Sequence, residues 1–197
     1  MIPPLDARPI LIAIAGPNGA GKSTLYQAHL SYTGLPFLNA DVIAAEIGVG
    51  AYEAAEVAES FRRERYARQE SFIFETVFSD PVGEKPAFLE EAAKSGYTVV
   101  LFFVGIASPQ RSIDRVGMRV GEGGHDVPAD KLATSFPRVM ENLRRALVRL
   151  PLVLVYDNDD LRVPHRFCLA MGYGKVLEKA EPVPDWVEAV MPQEADI

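Results

Sequence analysis

Apolar residues along this chain fall into short, dense runs separated by longer stretches with helical spacing, and that alternation predicts an α/β protein built on a mostly parallel sheet. The runs at 10–15, 36–40, 72–78, 97–106 and 152–156 read as buried strands. Between them, Glu53 to Glu70 has helical composition, and Pro86 to Ser95 reads as a helix stopped by Gly96. Ala129 to Leu150 keeps helical apolar spacing until Pro151 ends it. After Asn158 the pattern weakens: 163–170 and 175–177 suit an antiparallel edge hairpin, and Asp185 to Met191 a last short helix. One domain over residues 1–197 is expected, with its core at 8–160 and the edge hairpin and short helix at 161–197.

Composition narrows the function classes. At 197 residues, 48% of them apolar, the chain is long enough for a full core. A net charge of -7 opposes capture of a phosphate-backbone polymer, so nucleic acid is a disfavoured partner. Cys168 is the single cysteine, which suits a reducing cytoplasm, and no apolar run reaches the length of a membrane span.

The chemistry begins at Gly16-Pro17-Asn18-Gly19-Ala20-Gly21-Lys22-Ser23, followed by Thr24. The segment fits G-x-x-x-x-G-K-[ST] and sits directly after a buried strand, where it opens a helix. Its glycines let backbone N–H groups turn around phosphate oxygens, and the helix start aims a positive dipole end at the same anion. Lys22 then reaches the β and γ phosphates of ATP, and Ser23 offers a hard oxygen to Mg2+. The expected architecture is therefore the three-layer P-loop NTPase fold of nucleoside-kinase type, with a helical lid.

A phosphate loop alone does not name the phosphoryl acceptor. The chain has no SGGQ-like transporter signature and no Asn-Lys-x-Asp guanine motif, since Asp157-Asn158-Asp159-Asp160 lacks the lysine. Asp41 falls at the expected carboxyl end of the second strand, where open α/β sheets bind ligands. It suits a general base for an acceptor hydroxyl, or else the N-cap of a helix over 42–47. Glu75-Thr76 interrupts an apolar run, and a carboxylate there requires a partner such as a substrate hydroxyl, a metal-bound water or a basic side chain. Arg111, Arg115 and Arg119 recur every four residues ahead of Gly121-Glu122-Gly123-Gly124, the pattern of a closing lid that brings guanidinium groups to a phosphoryl group. Arg62, Arg63, Arg65 and Arg68 alternate with Glu64 and Glu70 and read as a solvated, ion-paired helix face. His29, His165 and Trp186 read as surface, edge or packing residues.

On Gly16 to Thr24, Leu38-Asn39-Ala40-Asp41, Phe74-Glu75-Thr76 and Arg115 to Pro128, the chain resembles the zeta toxin family of P-loop kinases, over most of residues 10–160. That resemblance implies ATP and Mg2+ as cofactors, Asp41 as catalytic base, Glu75 and Thr76 as a substrate-contacting pair, and Arg115 as the first of two arginines on the transferred phosphate. In place of the second arginine this chain offers His125, with Arg119 and Arg138 as the nearest arginines. The resemblance further implies a small-molecule acceptor of the nucleotide-sugar kind, such as UDP-N-acetylglucosamine, and for toxin members an antitoxin-like protein partner. The Gly-Gly-His-x-Val-Pro form is more similar to chromosomal members of the superfamily. Two other readings remain beside it: a nucleotide-dependent ATPase or interaction module, and a polynucleotide end kinase, which the net charge disfavours.

Overall fold

Strand β1 (Ile10–Ala15) is inaccessible at every position, the state in which a continuous Ile/Leu/Ala run is stable because helices cover both faces of the sheet. A computed structural model describes residues 7–121 and 127–193. After β1 the chain runs through α1 (Lys22–His29), β2 (Phe37–Leu38), α2 (Ala40–Ile47), α3 (Ala51–Ala67), β3 (Phe72–Thr76), α4 (Glu84–Lys94) and β4 (Thr98–Gly105). It continues with α5 (Pro109–Gly121), α6 (Ala129–Arg149), β5 (Val153–Asp157), β6 (Arg166–Gly172), β7 (Lys175–Lys179) and α7 (Asp185–Val190).

The seven strands form one sheet in the order β2-β3-β1-β4-β5-β6-β7. The first five are mutually parallel, and β6 and β7 add the expected antiparallel edge. Alternation along β1 divides the core. Leu11, Ala13 and Ala15 face Phe72, Leu101 and Val153 together with Leu143 and Leu147 of α6, whereas Ile10, Ile12 and Ile14 face Leu25 of α1 with Ile73 and Val100. The chain leaves β1 for β2 on one side and leaves β3 for β4 on the other, so the strand order reverses at β1 and a crevice opens past its carboxyl end. The phosphate loop occupies that crevice.

Several boundaries shift by a few residues from the sequence expectation, and two of the shifts have clear local reasons. Strand β2 is two residues long rather than five, because Asn39 turns the chain into α2 by accepting hydrogen bonds from the amides of Asp41 and Val42. The helix cap is thus Asn39, and Asp41 sits in the first turn. Helix α3 ends at Ala67, before Gln69 adopts a φ of 56° that an α-helix cannot contain. Among the described residues, no helix is long and apolar enough to cross a membrane.

Candidate active site

The loop between β1 and α1 is shaped by glycines that no other residue could replace. A Cβ on Gly16 would lie 2.0 Å from the Val104 carbonyl oxygen, and one on Gly21, at φ 92°, would lie 2.5 Å from Asn158 Nδ2. Gly21 precedes α1, and no side chain caps that helix; its first amides are left for a ligand.

Lys22 is 7% exposed. Its Nζ donates to the Pro17 carbonyl at 3.1 Å and lies 3.8 Å from Glu75 Oε1. Burial pushes the ammonium below the ordinary lysine value; Glu75 and Asp41 oppose that shift, and Arg119 adds to it. Glu75, at the carboxyl end of β3, also accepts from Ser23 Oγ at 2.9 Å and from Asn39 Nδ2 at 2.8 Å. The partner that a carboxylate in an apolar strand requires is therefore the phosphate loop itself. Ser23 Oγ donates its proton to Glu75, so its lone pairs remain for a hard cation. That single hydroxyl fits Mg2+, which takes most of its shell from water and phosphate; among the described residues, no cluster of three or more His, Cys, Asp or Glu offers an all-protein metal cage.

A cavity of about 570 Å³ joins this loop to the carboxyl end of β3. It is lined by Lys22, Ser23, Arg115 and Arg119 together with Asp41, Glu75, Thr76, Arg62 and Lys85. Asp41 is exposed to the cavity on the first turn of α2. The wall after β3 is fixed from α6: buried Asn142 donates to the carbonyls of Phe78 at 2.9 Å and Asp80 at 2.8 Å.

Arg62 corrects the expectation of a solvated face. It is 7% exposed, lies over the rings of Phe74 and Phe88 at 5.1 and 4.9 Å, and pairs with Glu59. Ala55, Ala58 and Arg62 share one side of α3, and the small alanines let the long side chain reach the cavity wall. Lys85 Nζ approaches the same Glu59 carboxylate at 3.6 Å. Arg63, Arg65 and Arg68 do form exposed or half-exposed ion pairs with Glu59, Glu70 and Glu64.

On α5, Arg111 is exposed and paired with Asp159 at 3.5 Å, while Arg119 lines the cavity. Arg115 is turned to backbone: it donates to the carbonyls of Asn158 at 2.7 Å, Asp159 at 3.0 Å and Gly19 at 3.4 Å. His125 and the Glu122–Gly124 part of the hinge lie outside the described residues. Sequence reasoning missed Asn39, Arg62, Lys85, Ser112 and Asn158. Asn39 carried a signal, an Asn directly before a helical segment, and Arg62 a fainter one in the small Ala55 and Ala58 on its side of the helix; Lys85, Ser112 and Asn158 carried none.

Sheet order, phosphate loop and cleft together define the class, a P-loop fold of kinase type. A family model described as Zeta toxin matches residues 47–166, more than half of the chain, from the end of α2 to the start of β6. The chain belongs to the zeta toxin family. No curated protein sequence matches it. Among solved structures, a chain of AvrRxo1-ORF1:AvrRxo1-ORF2 with sulphate ions superposes at a TM-score of 0.71 and 16% identity, over 94% of this chain and 64% of that one. The same pair with ATP gives a TM-score of 0.64 at 15% identity, again over 94% and 64%. A chain of the PezAT chromosomal toxin-antitoxin system of Streptococcus pneumoniae gives 0.58 at 16% identity, over 97% and 82%. This chain thus spans 64% of the length of the first of these relatives, and the likenesses show a shared fold.

Proposed function

We propose that the protein transfers the γ-phosphoryl group of ATP to a hydroxyl of a small molecule, with a nucleotide sugar such as UDP-N-acetylglucosamine as the candidate acceptor. The observation that carries this reading is a cavity lined both by the phosphate loop and by an exposed carboxylate, Asp41. Membership of the zeta toxin family supports it, as do the cations Arg62 and Lys85 in the cavity lining, which suit the pyrophosphate of a nucleotide sugar.

In this reading Lys22 and the loop amides bind the β and γ phosphates, and Asp41 takes the proton of the acceptor hydroxyl as its oxygen bonds to the γ-phosphorus. The bond from that phosphorus to the β–γ bridging oxygen breaks, and ADP leaves. Bound magnesium, held by Ser23, would supply charge neutralisation between the β and γ phosphates. Arg119 lines the same cavity and is near enough to Lys22 to lower its basicity, and a guanidinium there offsets charge on the transferring group. An antitoxin-like protein partner is part of this proposal, by analogy with the PezAT relative.

The test is incubation with ATP, Mg2+ and a panel of nucleotide sugars, nucleotides and aminoglycoside-like alcohols, followed by mass spectrometry. One acceptor gaining a single phosphate is the expected result. ATP hydrolysed or retained with every acceptor unchanged would instead favour a nucleotide-dependent interaction module.

A further inference from the structure

Four consecutive carbonyls of the phosphate loop each accept a hydrogen bond from a different side chain outside the loop. Ser112 Oγ donates to Asn18 O at 2.6 Å, Arg115 to Gly19 O at 3.4 Å, and Asn158 Nδ2 to Ala20 O at 2.7 Å. His165 Nε2 meets Gly21 O at 3.2 Å, an arrangement that requires the proton on Nε2. Two of these groups come from the first half of α5 and two from the segment after β5. Ser112 and Asn158 are 2% and 4% exposed, so these donors are not replaceable by solvent.

In a trans peptide the N–H lies opposite the C=O of the same plane. Holding the carbonyls of residues 18 and 20 outward therefore turns the amides of Gly19 and Gly21 the other way, and the Gly21 carbonyl, which accepts from the Leu25 amide at 3.0 Å as well as meeting His165, does the same for Lys22. None of those three amides has a hydrogen-bond partner among the described residues. The braces are themselves cross-linked. Asn158 Oδ1 accepts from the His165 amide at 3.1 Å, and Arg115 donates to the Asn158 and Asp159 carbonyls, so the two segments form one frame around the loop.

We infer that Ser112, Arg115, Asn158 and His165 are positioning residues that set the phosphate loop in its anion-binding shape before nucleotide arrives. They act on phosphate affinity without touching phosphate, because a loop already ordered loses less freedom on binding and its amides need no reorientation. Arg115 acts here through the loop backbone, and with Ser112 it fastens the first half of α5 to the loop. Burial lowers the basicity of the His165 ring, which keeps it neutral and able to hold a single Nε2 proton toward Gly21.

This inference rests on the phosphate-loop part of the proposed function and not on the identity of the acceptor. The test is calorimetric titration of the full chain with ATP, with pyrophosphate, which lacks the nucleoside, and with adenosine, which bypasses the loop, each repeated in an Arg62→Met background so that pyrophosphate bound beside Arg62 does not mask the loop. Asn158→Asp keeps the acceptor for the His165 amide while losing the donor to Ala20; Ser112→Ala removes the smallest brace and guards against a variant that fails to fold. Each variant is expected to bind ATP and pyrophosphate at least tenfold more weakly, with adenosine affinity within twofold of the parent and a melting temperature for Ser112→Ala lowered by no more than about 8 °C. Pyrophosphate affinity within twofold of the parent in Ser112→Ala, or an equal loss for adenosine and pyrophosphate, overturns the inference. A parent that binds pyrophosphate yet phosphorylates nothing would remove the kinase reading and leave this one standing.

Discussion

Asn39 Nδ2 donates to Glu75 Oε2 at 2.8 Å while Asn39 Oδ1 accepts from the amides of Asp41 and Val42. One buried side chain thus ties the carboxylate beside the phosphate loop to the helix that carries Asp41. Asn39→Ser keeps a favoured cap and loses the reach to Glu75, so stability should stay within about 1 kcal/mol while turnover falls about tenfold. Asn39→Ala loses both contacts, and its Tm should drop by roughly 2–8 °C, from about 1–2 kcal/mol in a domain of this size. Steady-state kinetics beside calorimetric melting separate the two effects. Equal turnover in Asn39→Ser and the parent would reduce Asn39 to a helix cap.

Arg62 packs as an aromatic-stacked cation and also faces the cavity. Arg62→Ala leaves a gap over Phe74 and strips Glu59, whose side chain is 30% exposed, of its buried partner, for a loss of about 2–4 kcal/mol in urea unfolding. Arg62→Met restores much of the volume without the charge. Its stability should lie closer to the parent, with KM for an anionic acceptor raised about tenfold and KM for ATP unchanged. An unchanged acceptor KM would confine Arg62 to packing.

His165 makes the stability depend on mild acid. Burial holds its ring below the ordinary value of 6.5; His29 reinforces the shift and the bond to the Gly21 carbonyl opposes it. As pH falls through 6.5 the unfolded chain takes up a proton that the native ring refuses, so native stability is lost across the window from 6.5 down to the lowered native value. Asn tolerates the φ of 52° at this position and does not titrate. Urea unfolding between pH 7.5 and 5 should show the parent losing stability more steeply than His165→Asn. Parallel slopes would mean that the native ring protonates as readily as the free one.

The elements that the sequence made legible are those whose signal is local. β1 was bounded to the residue, because a parallel strand buried on both faces is a continuous apolar run, and Pro151 and Gly96 placed the ends of α6 and α4 within two residues. The phosphate loop was legible because its function demands its composition. Arg62 was misread because pairing at i, i+3 and i+4 describes a helix surface without saying which side the sheet covers; the alanines at 55 and 58 were the overlooked sign of a close approach. Ser112, Asn158 and His165 were opaque for another reason. They act through loop carbonyls as many as 144 residues away in sequence, and no periodicity encodes such a contact.

Of the two carboxylates beside the phosphate loop, Asp41 is the one whose side chain is uncommitted, as the general base of the proposed reaction must be. Glu75 accepts from both Ser23 and Asn39 and sits beside Lys22, so its oxygens are committed to the loop, whereas no hydrogen bond involves the Asp41 side chain among the described residues. Asp41→Asn preserves shape and the backbone bond to Asn39 while removing the proton acceptor. ATP affinity should hold within about threefold or tighten, since a negative charge near the phosphates is lost, and the rate of acceptor phosphorylation should fall by about 10²–10⁴. Single-turnover quench measurements beside ATP titration read the two quantities separately. Full-rate transfer by Asp41→Asn would place the base elsewhere, and Glu75 could take that part only by releasing Ser23 or Asn39, a rearrangement that Asn39→Ser should then accelerate rather than slow.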